Sequence, residues 1–176
     1  MKPVTHLRTI ASAIALGLGL TLAAHAAGPS EAEALSKATV SLAQATQIAE
    51  KQDSGKTIAA EFDIEKGRPL WEIKLLGTGG VKEYKIDALS GAVVKVEDER
   101  IRGKLITFVT GMNLKDLGNA KTPLMQAVSD AEKKLGGKAV KVEVEHERGG
   151  IQYDIFVRVA DKTEKLKIEA STGQPR

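Results

Sequence analysis

Two rhythms alternate along this chain, and each appears twice. Ser41 and Gln44 set out a capping box. Behind it, Leu42, Ala45, Ile48 and Ala49 recur at the spacing of one helix face. The period then drops to two, as in strands with one buried side. Ile58, Ala60, Phe62 and Ile64 share a face, followed by Trp71, Ile73 and Leu75, and then by Tyr84 and Ile86. Further on, Thr122 is the expected N-cap and Pro123 the first helical residue, where its missing N–H costs nothing. Leu124, Ala127, Val128, Ala131 and Leu135 form that helix's stripe. Val140, Val142 and Val144, then Tyr153, Ile155 and Val157, then Leu166 and Ile168 return to the period of two. Both helices are expected to stop at glycine.

The two passages align without a gap at a constant offset of 82 residues. Leu42, Gln44 and Ala45 fall on Leu124, Gln126 and Ala127; Ala49-Glu50-Lys51 falls on Ala131-Glu132-Lys133; Lys85-Ile86 and Gly91 fall on Lys167-Ile168 and Gly173. A match sustained at one offset points to a duplicated supersecondary unit. Turn residues at Lys66-Gly67, Gly77 to Gly80 and Asp87 to Gly91, with their counterparts 82 positions later, keep the connections short and the strands antiparallel. One helix covers one face of a small sheet, so the opposite face is expected to be polar, with Glu72 and Asp154 pointing to water. The expected fold is α+β: two tandem modules, each one helix packed on a three- to four-stranded antiparallel sheet.

The rest of the chain divides around these units. Residues 1–26 read as a signal peptide, with Lys2 and Arg8 before a short apolar run and small residues at Ala24 and Ala26, so processing is expected to leave Ala27 first. Residues 27–38 are expected to be a flexible N-terminal segment, 39–97 the first repeat, 98–120 an apolar connector and 121–176 the second repeat. Leu105, Ile106, Phe108 and Val109 make the connector more apolar than a free linker. Removal of the signal takes Lys2 and Arg8 but no acid, so the formal charge falls from +3 to +1. With charges of both signs interspersed, nucleic acid is not an expected partner. No later run is long enough for stable membrane insertion, and the 176 residues contain no cysteine, which removes disulfides, thiolate nucleophiles and sulfur-ligated metals.

No catalytic, metal or cofactor constellation emerges. His146 is the one histidine beyond residue 26 and shares strand parity with Val142 and Val144, as expected of a structural strand-end residue. Glu143, Glu145 and Glu147, like Glu61, Asp63 and Glu65, form an acidic row that lysines 74, 85, 165 and 167 are placed to meet across the strands. Phe156 departs from the pattern, an aromatic at polar parity between Asp154 and Arg158. With Arg158, Lys165, Leu166 and Lys167 it marks a candidate surface for a protein partner, along a last strand whose outer edge is expected to be open. Oligomeric state is not legible at this level.

The triplets Trp71-Glu72-Ile73 and Tyr153-Asp154-Ile155, the amphipathic helix before each, and the turn Asp87-Ala88-Leu89-Ser90-Gly91 leading into Ala92-Val93-Val94 resemble the PepSY domain. The resemblance covers roughly residues 39–97 and 121–175, although the second passage has Glu169 in place of the turn aspartate. It implies a non-enzymatic exported binding protein, an inhibitor or regulator of a secreted or periplasmic peptidase. The alternative it leaves is an accessory or sensory protein of an envelope signalling system that binds a sensor ectodomain or small ligand.

Overall fold

The computed structural model describes residues 30–99, 112–147 and 150–176. The expected signal peptide and Leu105, Ile106, Phe108 and Val109 of the connector lie outside the described residues. Strands β1 (Lys56–Glu65), β2 (Arg68–Gly77), β3 (Gly80–Asp87) and β4 (Val93–Asp98) follow one another as a meander. So do β5 (Lys138–Glu147), β6 (Gly150–Val159) and β7 (Lys162–Glu169).

These strands do not form two sheets. They make one seven-stranded sheet in the order β4-β3-β2-β1-β5-β6-β7, with every neighbour antiparallel. The expectation of two modules, each a helix on its own small sheet, is therefore overturned. Its physical origin is clear at the join. Each meander leaves its first strand with an unpaired edge, and pairing the two edges satisfies both rows of backbone groups. The join runs Ala59↔Glu143, Ala60↔Val142 and Glu61↔Lys141, so Ala60 faces the residue 82 positions on, and the two halves of the sheet meet about a local two-fold.

All the helices described serve one apolar face. Helix α2 (Leu42–Gln52) packs mainly on β1 and β2, and α4 (Leu124–Leu135) on β5 and β6. Leu42, Ala45 and Ala49 of α2 and Ala127, Val128 and Ala131 of α4 are buried. Beneath them lie Ile58, Ala60 and Phe62 in one half and Val140, Val142 and Val144 in the other. The Phe62 and Trp71 rings meet edge to face, with centroids 5.1 Å apart. Trp71 Nε1 donates to the Val40 carbonyl at 2.8 Å, and Tyr153 Oη donates to the Thr122 carbonyl at 2.9 Å, so each large ring also ties down the chain entering its helix. Burial pushes the Tyr153 hydroxyl up to about 12, which keeps it a donor.

Helix ends differ in detail from expectation. The Ser41 box is present, with Ser41 Oγ accepting from Gln44 N and Gln44 Oε1 from Ser41 N. However, α2 ends at Gln52 with Asp53 as its cap, two residues before Gly55. At α4 the cap is Pro123 rather than Thr122, whose backbone is committed elsewhere: its N–H donates to Ala170 O and its carbonyl accepts from Tyr153. Helix α4 closes on Gly136 in the left-handed conformation (φ 71°). Gly137 is needed for a different reason, since a Cβ there would stand 2.2 Å from the Arg158 carbonyl oxygen.

Both halves carry a register shift early in the first strand, between Thr57 and Ala59 and between Ala139 and Lys141. A helix glutamate accepts the nearby amide in each case, Glu50 from Thr57 N at 3.2 Å and Glu132 from Ala139 N at 2.8 Å. Within the segment expected to be flexible, α1 (Glu31–Lys37) is a helix capped by Ser30, and it buries Ala34 and Leu35. In the connector, Met112 is buried, and Asn113 caps the short α3 (Leu114–Gly118). Among the described residues, no helix is long and apolar enough to cross a membrane.

Candidate functional site

The face of the sheet turned away from the helices is charged, and alternation alone puts it there. In the first half its centre is Lys85, on β3. Lys85 Nζ is bonded to Glu65 and lies 2.7 Å from Glu72 Oε1 and 3.8 Å from Glu83 Oε1. Glu65 foremost, and then Glu72, hold the ammonium well above the usual lysine range although burial opposes it. Lys74 bridges Glu83 and Glu99 at 3.1 and 3.3 Å. Asp63, Glu65 and Glu72 offer carboxylate oxygens within 4.8 Å of one another, yet Lys85 already supplies the cation that two of them need.

In the second half the centre is Asp154, on β6. It accepts from Gln152 Nε2 at 2.7 Å and pairs with Lys165 at 2.5 Å and Lys167 at 3.8 Å. The Asp154 hydrogen bond raises the Lys165 ammonium. Glu145 is pushed up by burial first, then by Glu143 and Asp154 nearby. Glu72 and Asp154 were expected to point to water. Their parity is as read, but Asp154 is only 4% exposed, because the lysine stems of the adjacent strand and the Gln152 amide close over it. The acids do meet the lysines across the strands, and at the join Lys141 adds a bridge to Glu61 at 3.2 Å and to Glu143 at 3.1 Å.

Of the five residues in the candidate partner surface, the structure brings three together. Lys141, Phe156 and Lys165 occupy one row across β5, β6 and β7, with the two ammonium groups 5.8 and 5.0 Å from the ring centroid. Lys167 is on the same face, beside Asp154. Arg158 turns to Thr163 Oγ1 at 3.3 Å and to Glu31 of α1 at 3.9 Å. Leu166 lies opposite Ile155 and packs against the core, on the other face. The outer edge of β7 is partly used by the chain itself. Glu169 N donates to Gln174 O, Arg176 N donates to Lys167 O, and Ile168 bridges Pro175. Lys141 was not in the expected surface, and it stands opposite Phe156 in the register that pairs Glu147 with Gly150.

His146 is part-buried at the end of β5, with Nε2 3.8 Å from an Asp116 carboxylate oxygen of α3. A cavity of about 290 Å³ lies between α2 and α4, lined by Thr46, Glu50, Thr57, Met125, Val144 and Tyr153. It is separate from the charged face.

Comparison with known proteins bears on the first half of the sheet. Residues 39–97 match the family model of PepSY, the peptidase propeptide and YPEB domain. No curated protein matches the chain. Among solved structures, a crystal structure of a "putative lipoprotein" from Clostridium difficile 630 is similar at 15% identity and TM-score 0.49, over 79% of this chain and 91% of that one. The segment 39–97, which supplies α2 and the meander β1 to β4 almost to its last residue, is thus the part of the chain that matches PepSY.

Proposed function

We propose that this protein is an exported, non-enzymatic binding module that inhibits or regulates a secreted or periplasmic peptidase. The PepSY match over 39–97 is the observation that carries this reading, since the family takes its description from peptidase propeptides. The charged face supports it as a docking surface. Its acids and lysines are internally paired, so a protein partner meets a flat, preorganised charge pattern rather than mobile chains, and Phe156 between Lys141 and Lys165 is its aromatic element.

The test is capture of partners by crosslinking in the exporting host, together with assay of exported peptidase activity with and without added protein. A peptidase is the expected partner, with its activity altered on addition. Phe156→Ala and Lys165→Glu, each shown to be folded by circular dichroism, are expected to weaken capture. Capture of a sensor ectodomain with unchanged peptidase activity would replace this reading with a signalling role. Export itself predicts an intact mass that begins at Ala27.

A further inference from the structure

Among the described residues, the exposed large hydrophobics are Leu89, Val93, Val94 and Val96, and all lie in β4 or the turn before it. Val93 and Val96 stand opposite Ile86 and Tyr84 and so continue the core face beyond the cover of α2. Lys95 and Glu97, on the charged face, stand opposite Lys85 and Glu83, so β4 meets like charge on its inner side. Because Glu99 N donates to Val81 O, alternation turns the backbone groups of Glu97 and Lys95 toward β3 and those of Val96 and Asp98 outward.

We infer that β4 is a self-association edge, at which a second copy of this chain pairs antiparallel about a two-fold centred on Val96. That register alone sets Val96 against Val96, its outward N–H and C=O exchanged in both directions. It also places Lys95 of each copy against Glu97 of the other, in the pair type whose side chains approach most closely. Lys95 and Glu97 already pair along their own strand at 2.9 Å, and the second copy offers each a further partner of opposite sign directly across the axis. Lysine and a register shift at an edge ordinarily discourage pairing; here the self-complementary Lys95 and Glu97 turn the same charge into a register key. The join inside the chain has the same construction, with an apolar pair, Ala60 and Val142, on the local axis and the Lys141 to Glu61 bridge beside it. The inference does not depend on the peptidase reading.

The absence of cysteine makes the geometry directly testable. Val96→Cys places two sulfurs on the axis, at a Cα separation of about 5.5 Å, within disulfide reach. Val94→Cys is also exposed but sits about 14 Å along the strand from its mate. Mild oxidation is expected to give disulfide dimers of the first and not of the second. Sedimentation of the protein should show a concentration-dependent dimer that Lys95→Glu and Glu97→Lys each weaken by about tenfold or more. The double exchange Lys95→Glu with Glu97→Lys should restore it. A monomer at every concentration, equal crosslinking at positions 94 and 96, or a double variant no better than the single ones would overturn the inference.

Discussion

The cross-strand pairs Glu72–Lys85 and Asp154–Lys167 stand at equivalent places on the charged face, yet the first buries its lysine more deeply and the second its acid. In the first, the Lys85 side chain is 10% exposed and is ringed by Glu65, Glu72 and Glu83. In the second, the Asp154 side chain is 6% exposed, and its lysines, 165 and 167, are each 42% exposed. The substitutions responsible are small. Asp154 stands where the first half has Glu72, and being one methylene shorter it draws the carboxylate down to the sheet. Lys165 stands where the first half has Glu83, so the ring changes sign with the centre. A buried charge survives only with partners that compensate its lost hydration, and both halves supply several. The same cross-strand acid–lysine pair thus buries either its cation or its anion, provided the neighbouring residues are rewritten to match.

The sharpest way to break the equivalence of the halves is at the two central rings. Trp71→Ala and Tyr153→Ala each remove a buried aromatic and are expected to cost on the order of 3 to 5 kcal/mol in urea unfolding. Trp71→Ala should be the larger, since it also loses the edge contact with Phe62, whose counterpart under Tyr153 is Val144. Because β1 and β5 make one sheet, both variants should shift a single cooperative transition. Two separate transitions, each moved by one variant, would show halves that fold independently.

Much of this was legible along the chain, and the failures have a common cause. Alternation placed Ile58, Ala60, Phe62, Trp71 and Ile73 on the buried side, where they are found, because side-chain direction in a strand has a fixed period. The β1 to β5 join was not legible, because it is made by backbone edges that leave no side-chain pattern. Ala60 and Val142 already read as core, and pairing them asked for no new apolar residue. Parity also states only which face a residue occupies. It placed Asp154 correctly, but the burial of Asp154 depends on Gln152, Lys165 and Lys167 from three positions in space. In the candidate surface, the row through Phe156 and Lys165 follows from hairpin register. Leu166 was grouped with it by proximity to an edge, against its own parity.

A smaller effect should separate the charge centres. Lys85→Met leaves Glu65 and Glu72 facing one another without their shared cation, while Glu83 keeps Lys74, and is expected to cost about 2 kcal/mol at neutral pH. The counterpart, Lys167→Met, should cost clearly less, because Lys165 remains on Asp154 at 2.5 Å. On the acid side the order reverses, with Asp154→Asn costing more than Glu72→Gln. Equal costs within each pair, read from urea midpoints at unchanged slope, would mean that burial of opposite sign has no energetic consequence.

The smallest expected difference lies in the turns that end β3 and β7. Asp87 accepts from the Ser90 N–H at 2.8 Å, the Ser90 hydroxyl at 2.9 Å and the Leu89 N–H at 3.1 Å, and pairs with Arg68 at 3.1 Å. These donors, the Ser90 amide foremost, hold its carboxyl below the usual range against the effect of burial. Glu169, its counterpart, accepts the Thr172 hydroxyl at 3.0 Å. A carboxylate whose folded value is lowered adds stability that is complete above its unfolded value and is lost as pH falls through the folded one. The Asp87 contribution is therefore present above about pH 4 and declines below it. Asp87→Asn keeps an oxygen for the turn amides but loses the charge, and is expected to cost about 1 kcal/mol at pH 7. Since the variant has no carboxylate to protonate, its stability curve should converge with that of the unaltered protein as the solution is acidified. Curves that stay parallel through pH 3 would show that the turn depends on shape and not on the charge of Asp87.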